Sequence, residues 1–385
     1  MTTWEETGPE ILICHHYAEH ASHERSSVPA KVAAFDLDST LIKSKSGIWK
    51  TENPEDWTWW HPVVPDKLRQ AFNDGFRIVI VTNQGRLTLK DGSTSPVQIF
   101  FKAKIELLLR ALDIPITLYA ACANDHWRKP RTEAWEHYVR RLSQETSFDE
   151  ENSFLVGDAA GRVGDHDDVD RHFCENVGLK FFTPEQWFLD AAEELYTDRF
   201  DPKEYPKCHS KPHHVGIELK RNESPALYLL VGPPGAGKTT YYFTTLEPLL
   251  YERLDLVSSG STEDVTCSIR ARLSCNRSVV LDQRHLDRAS RRKWVSFARE
   301  CSISIFAIHF TTTLDLCLHN DAVRALGSTD IDPKHRRVCP RNDFWDLVGT
   351  FQEPTVEEGF LDVVKVDFEW RGTEEARNVW QKFWI

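Results

Sequence analysis

The sequence predicts two α/β units in series, each a doubly wound, parallel sheet covered by helices. Short apolar strands alternate with helix-length amphipathic stretches, one strand ends in Asp36-Leu37-Asp38-Ser39-Thr40, and another runs into Gly232-Pro233-Pro234-Gly235-Ala236-Gly237-Lys238-Thr239. At 385 residues the chain exceeds one ordinary core, which suits two or three domains.

Residues 1–30 lack a sustained period and are expected to be a flexible tail, with order beginning near Lys31. Over 31–200, strands at Val32–Phe35, Arg77–Val81, Thr117–Ala121 and Phe154–Val156 alternate with helices at Val64–Asn73, Ile99–Leu112 and Thr132–Ser143. Residues 201–224 contain Pro202, Pro206 and Pro212, show no apolar period, and read as a linker. The second unit, 225–385, opens with the strand Ala226–Val231. Its further strands are Ser278–Leu281, Ser304–Phe310 and Val363–Phe368, with helices near Thr239–Leu250, Val265–Leu273 and Arg288–Cys301.

With 41% hydrophobic and 28% charged residues the composition is that of a soluble globular protein. No apolar run approaches the roughly 20 residues of a membrane span, and the polar start is unlike a secretory leader. Nine cysteines without a CxxC pair give neither a zinc site nor a disulfide framework and suit a reducing compartment. A net charge of −12 argues against non-specific coating of nucleic acid and leaves room for a local basic groove.

Residues i and i+2 of an extended segment face the same way, so Asp36 and Asp38 are expected to point together into the crevice at the strand ends. A carboxylate that attacks a phosphate must overcome mutual repulsion, which Mg²⁺ relieves, while a second carboxylate protonates the leaving alcohol and later activates water. Thr82 and Asn83 follow a strand and can hold phosphate oxygens. Lys129 can neutralise transition-state charge, and Asp158 follows the strand Phe154–Val156 as a further metal carboxylate. In this order the four elements form the haloacid-dehalogenase phosphatase pattern.

The text around these motifs narrows the resemblance. Phe35-Asp-Leu-Asp-Ser-Thr-Leu-Ile42, Asp56-Trp57, Val81-Thr-Asn-Gln84, Arg128-Lys-Pro130 and Val156-Gly-Asp-Ala-Ala-Gly-Arg162 resemble the phosphatase half of the polynucleotide kinase 3′-phosphatase family. The similarity runs from about Val32 through Glu358-Gly-Phe360. It implies hydrolysis of a 3′-terminal phosphate on DNA, with Asp36 as nucleophile and Asp38 as acid and base. Mg²⁺ would lie on Asp36, the main-chain carbonyl of Asp38, and Asp158. Arg162, Asp165 and Asp170 fall at matching positions as outer-shell or substrate-contact groups, in a loop shorter and less basic than the family's. In the tryptophan-rich stretch Trp49, Trp57, Trp59 and Trp60, with Trp127 further on, Trp57 is the candidate for stacking on a frayed base, and Trp59 and Trp60 are expected to be core or interface rings.

The second signature matches GxxxxGK[ST] between a strand and a helix. Gly232, Gly235, Ala236, Gly237, Lys238, Thr239 and Thr240 would cradle the phosphates of ATP, Lys238 reaching the outer ones and Thr239 a Mg²⁺ ion. The resemblance implies a base for a 5′-hydroxyl at the position of Val257, which cannot take a proton. Asp255, two residues earlier, is the substitute if the loop is remodelled. The family's arginine-bearing lid is matched by Arg324, whereas Ala322 stands where a second arginine is expected. Arg288 and Arg292, with Arg284, Arg291 and Lys293, offer either a DNA-backbone contact or a solvated helix face.

Three readings follow: a 3′-phosphatase fused to a nucleotide-binding domain of weak or absent kinase activity, a fully bifunctional 5′-kinase/3′-phosphatase using Asp255, or a repair scaffold that binds DNA ends without chemistry. The partners implied are DNA 3′-phosphate ends and, for the second reading, 5′-hydroxyl ends, acted on by a monomer in the nucleus or otherwise in the cytoplasm. The stretch before Lys31 is too short for the phosphopeptide-binding module of some family members, so recruitment by that route is not expected.

Overall fold

A computed structural model describes residues 1–16, 28–48, 52–89, 91–196, 200–205, 224–255, 262–327 and 338–385. The chain divides into two units, Met1–Arg199 with Phe383–Ile385, and Phe200–Lys382.

The first unit contains β1 (Thr2–Gly8), β2 (Ile11–His16), β3 (Val32–Phe35), a short ribbon of β4 (Ile42–Lys43) and β5 (Thr58–Trp59), β6 (Arg77–Asn83), β7 (Ile116–Ala121), β8 (Phe154–Val156) and β9 (Lys180–Phe182). Its helices are α1 (Val64–Asn73), α2 (Gln98–Leu112), α3 (Glu133–Leu142), α4 (Val169–Val177) and α5 (Pro184–Leu189). The main sheet has the order β1-β2-β7-β6-β3-β8-β9. From β7 to β9 every pairing is parallel. Alternation along β3 sends Ala33 and Phe35 to the face covered by α1, α2 and α5, and Val32 and Ala34 to the face covered by α3 and α4.

The N-terminus departs from the expected tail. β1 and β2 form an antiparallel hairpin, and β2 pairs antiparallel with β7, so order begins at Thr2 and the sheet is mixed. Every residue of β2 is buried. Ile11 and Ile13 enter one core layer, Leu12 and Cys14 the other. A strand buried on both faces loses the two-residue alternation by which a strand is read from sequence, which is why it was missed.

Residues 383–385 complete the first unit. The Phe383 ring stacks on His172 at 3.7 Å, its N–H donates to Asn176 Oδ1 at 2.8 Å, and its carbonyl accepts from Asn176 Nδ2 at 2.7 Å.

The second unit contains β10 (Ala226–Val231), β11 (Glu252–Asp255), β12 (Val279–Asp282), β13 (Ser304–Phe310) and β14 (Asp362–Val366), all parallel, in the order β11-β12-β10-β13-β14. Its helices are α6 (Lys238–Tyr241), α7 (Thr262–Ser274), α8 (Arg288–Glu300), α9 (Leu314–Leu326), α10 (Arg341–Val348) and α11 (Glu374–Trp380). Leu227, Leu229 and Val231 pack against α7 and α8. The expected helix over 239–250 is broken into α6, a widened turn over Tyr242–Leu246 and a tight one over Glu247–Leu249. In the expected linker, Pro202–Glu204 forms one tight turn, and residues 206–223 lie outside the described residues. Among the described residues no helix is long and apolar enough to cross a membrane, and the eight described cysteines are all free thiols.

Ile13 is fully buried. Ile13→Ala is expected to cost about 2–5 kcal/mol in urea unfolding, as large-to-small core substitutions do; a change within the scatter of surface mutations would restore the tail reading.

Candidate active site and nucleotide-binding loop

Asp36 and Asp38 leave β3 at its C-terminal end, Thr82 and Asn83 close β6, and Asp158 lies two residues beyond β8. Parallel strands deliver all of these to one end of the sheet. Lys129 joins them, held by a reciprocal pair of bonds: its N–H donates to Asn83 Oδ1 at 2.9 Å, and its carbonyl accepts from Asn83 Nδ2 at 3.1 Å. Both ends of the Asn83 amide thus bond the Lys129 backbone. Expected as a phosphate ligand, Asn83 instead positions the lysine.

The Lys129 ammonium, buried with its side chain 1% exposed, lies 2.7 Å from Asp36 Oδ1 and 2.6 Å from Asp170 Oδ1. Oxygens of Asp36, Asp158 and Asp170 lie within 4.8 Å of one another. Burial pushes the Asp36 carboxyl well above the ordinary range; Lys129 opposes the rise, and Asp170 and Asp158 add to it. Asp158 is pushed up to about 7, mainly by burial and then by Asp170, against a hydrogen bond from Thr40 Oγ1 at 3.1 Å. Burial disfavours the charge on Lys129, but Asp170 and Asp36 outweigh it and hold the ammonium charged.

Asp38 stands outside that trio, beside Thr82. Gln84 Nε2 donates to Asp38 Oδ2 at 2.6 Å and to Thr82 Oγ1 at 3.0 Å, while Lys104 Nζ stands 3.7 Å from Asp38 Oδ1. The two-residue period fails here because the strand stops at Phe35, before either aspartate. Asp38 was expected in the metal set through its main-chain carbonyl; its carboxylate lies outside the trio, which leaves that expectation open to the carbonyl. Asp170, expected only as an outer or substrate-contact group, supplies the third carboxylate. It reaches the trio from α4 because Gly157 lets it approach: a Cβ there would lie 2.6 Å from the Asp170 Cβ. An all-oxygen donor set, two of its carboxyls raised by burial and then by their acidic neighbours, fits a hard divalent cation such as Mg²⁺.

Sequence reasoning gave no role to Gln84 or Lys104. Gln84 was visible as the end of the Val81–Gln84 text, whereas Lys104 comes from an amphipathic helix with no local signal.

Other expectations change. Arg162 was read as a possible DNA contact. Its Nε lies 3.0 Å from Asp165 Oδ2 and its Nη1 2.8 Å from Glu185 Oε2, so the guanidinium braces its own loop. Asp165 likewise accepts from the N–H groups of Ala160 and Arg162 and is a loop carboxylate. Trp57 is half-buried and packs edge-on to Trp59, with centroids 5.1 Å apart, against the core with Trp60. Trp49 lies outside the described residues.

In the second unit Gly232–Thr239 joins β10 to α6. Gly235 and Gly237 have φ of 76° and 92°, and a Cβ on Gly235 would lie 2.8 Å from the Cys317 carbonyl carbon, so only glycine fits there. Asn320 Nδ2 and Thr312 Oγ1 brace the loop by donating to the carbonyls of Gly235 and Ala236 at 2.9 and 3.1 Å. Lys238 Nζ donates to the carbonyls of Gly232 and Pro233, each at 2.7 Å, and burial brings its pKa down to about 8. Thr239 Oγ1 donates to Asp282 Oδ2 at 2.9 Å, and Thr240 is exposed.

Val257 lies outside the described residues. Asp255 ends β11 beside Asp282 in the parallel register, with Arg253 Nη2 at 3.6 Å. Arg324 pairs with Asp321 on α9, and Ala322 is fully buried, so an arginine at 322 would enter the core instead of a lid. The basic face of α8 is divided. Arg291 is internal, held by Glu358 at 2.7 and 2.8 Å, while Arg292 is exposed and Arg288 reaches Glu358 Oε1 at 3.6 Å.

An aspartate-centred, cation-ready pocket at the end of one sheet and a phosphate-binding loop at the end of the next define a phosphatase of the haloacid-dehalogenase fold joined to a P-loop domain of kinase type. Residues 31–188 match the family model described as polynucleotide kinase 3 phosphatase, and 260–339 match one described as an AAA domain. A bifunctional polynucleotide phosphatase/kinase of Schizosaccharomyces pombe is 36% identical over 91% of this chain and 83% of its own length. That likeness spans both units, and the chain belongs to the polynucleotide phosphatase/kinase family. A putative bifunctional polynucleotide phosphatase/kinase of Acanthamoeba polyphaga mimivirus is 26% identical over 88% of this chain and 85% of its own length. The polynucleotide 3′-phosphatase ZDP of Arabidopsis thaliana is 30% identical over 42% of this chain and 24% of its own length.

Gly157→Ala is expected to displace Asp170 and lower stability by about 1–3 kcal/mol through overpacking. In a double-mutant cycle with Asp170→Ala the losses should fall short of additive. Full additivity in urea melts would show that the close approach is immaterial.

Proposed function

We propose that this protein removes the terminal 3′-phosphate from DNA strand ends through a covalent intermediate on Asp36. The observation that carries the reading is the placement of Asp36 Oδ1 2.7 Å from the buried Lys129 ammonium, in a pocket shared with Asp158 and Asp170.

The phosphate enters at the sheet end, where the Thr82 hydroxyl accepts from Gln84 and keeps its own proton free to donate to a phosphate oxygen. Asp36 attacks phosphorus; the Asp36 oxygen–phosphorus bond forms as the bond to the 3′ oxygen breaks. Asp38, held by Gln84 and Lys104, gives its proton to that leaving oxygen. Asp38 then takes a proton from water, which attacks phosphorus, and the bond to Asp36 breaks to release inorganic phosphate. Lys129 offsets negative charge on the phosphoryl group throughout. Asp36, Asp158 and Asp170 would hold Mg²⁺, which supplies charge neutralisation between nucleophile and phosphate.

The P-loop unit binds ATP through Gly235–Thr240 and Lys238. Phosphorylation of 5′-hydroxyl ends is weak in this reading, because Asp255 is the candidate base and Arg253 faces it. Work on DNA ends would suit a nuclear protein, and a monomer suffices for the chemistry.

Phosphate release from a 3′-phosphorylated oligonucleotide is expected to be abolished by Asp36→Asn and to fall by about 10²–10⁴ in Asp38→Asn. Undiminished release from Asp36→Asn would sink the mechanism.

The pocket also predicts a pH signature. The Asp36 and Asp158 carboxyls titrate higher in the folded chain than unfolded, Asp158 at about 7. The folded protein therefore holds more protons, and without metal its stability falls as pH rises from the ordinary carboxylate range toward that value. A cation replaces those protons, so thermal protection by Mg²⁺ should be larger at pH 8 than at pH 6. Asp158→Asn should raise the metal-free melting temperature at pH 8 and blunt the Mg²⁺ effect. Equal protection at both pH values would contradict the assignment.

A further inference from the structure

We propose that Arg253 takes the place of a divalent cation beside Asp282, so that the P-loop unit binds nucleoside triphosphate with an affinity independent of magnesium. The proposal rests on the reading of this loop as a nucleotide site.

Asp282 ends β12 directly below the phosphate loop, with its side chain 5% exposed. In a P-loop site an acid in this place supports a cation that also touches the loop hydroxyl, here Thr239. Its Oδ2 accepts from Thr239 Oγ1 at 2.9 Å. The same oxygen accepts from Arg253 Nε at 2.7 Å and lies 2.7 Å from Arg253 Nη2. Arg253 is itself well held: its guanidinium lies 3.6 Å from Asp255 Oδ2, and its Cζ lies 6.0 and 5.7 Å from the ring centroids of Tyr242 and Phe243.

A cation here would need the negative charge of Asp282. Arginine is permanently charged and already neutralises that charge in a largely buried, hydrogen-bonded pair. Mg²⁺ sheds water reluctantly, and at Asp282 it would meet the positive charge of the arginine that already holds Oδ2. The donor set around Thr239 therefore does not fit magnesium as it fits in the first unit, where three carboxylates share one lysine. With Asp282 balanced by Arg253, the Lys238 ammonium is the loop's own cation for a triphosphate.

The test is a calorimetric titration of ATP into the full chain in excess MgCl₂ and again in excess EDTA. For the wild type the two dissociation constants should agree within about threefold, whereas Arg253→Met, which returns the charge of Asp282, should bind at least about tenfold tighter with magnesium than without. Arg253→Lys keeps a cation and should stay near the wild-type ratio. The wild-type comparison needs no substitution, so misfolding of a variant cannot decide the matter. A wild-type ratio of tenfold or more in favour of magnesium, or no change of ratio in a folded Arg253→Met, would overturn the proposal while leaving nucleotide binding intact. Absence of ATP binding under both conditions would overturn both.

Discussion

The arrangement at Lys129 governs the first unit. Three carboxylates crowded at a sheet end cannot all carry charge away from water unless a cation is fixed among them, and Lys129 is that cation in the chain itself. Much of the neighbourhood follows from keeping it there. Asn83 grips its backbone from the end of β6, α4 brings Asp170 to its far side, and Gly157 has no side chain in the way. A lysine so held leaves Asp36 as the one trio member beside both the ammonium and the crevice, which is the geometry a nucleophile needs.

The second unit meets the same problem of gathering charge by another route. Its phosphate loop offers backbone N–H groups and a lysine folded against its own carbonyls, and its acidic end is balanced internally by Arg253. One unit thus concentrates negative charge around a single cation, and the other spaces cations around a single buried acid. The contrast suits an acidic pocket that recruits metal and a basic one that receives phosphate.

Much of this was legible in the sequence wherever a local pattern and a chemical group coincide. Apolar strands ending at or just before Asp36, Thr82 and Asp158, and the one that leads into the loop of Lys238, were found within a residue or two, because parallel strands place their functional residues at one end. What was missed depends on long-range packing. β2 is buried on both faces and shows no alternation; Asp170 sits on a helix whose approach depends on Gly157; Lys104 comes from a helix face that looks like any solvated one. Arg162 matched a motif, but only the fold shows that Asp165 and Glu185 engage it. Arg253 is an ordinary strand residue until the parallel register sets it next to the acid of the neighbouring strand.

The stacking of Phe383 on His172, with its paired bonds to Asn176, gives the chain an unusual connectivity. The P-loop unit is in effect an insertion, since residues 383–385 return to α4 of the first unit. During synthesis the helix α4 must wait for a partner that emerges only after the whole second unit has been made. Cutting the chain after α5 would therefore yield a phosphatase fragment with an exposed seam over His172, and its soundness would depend on supplying the missing terminal residues in trans.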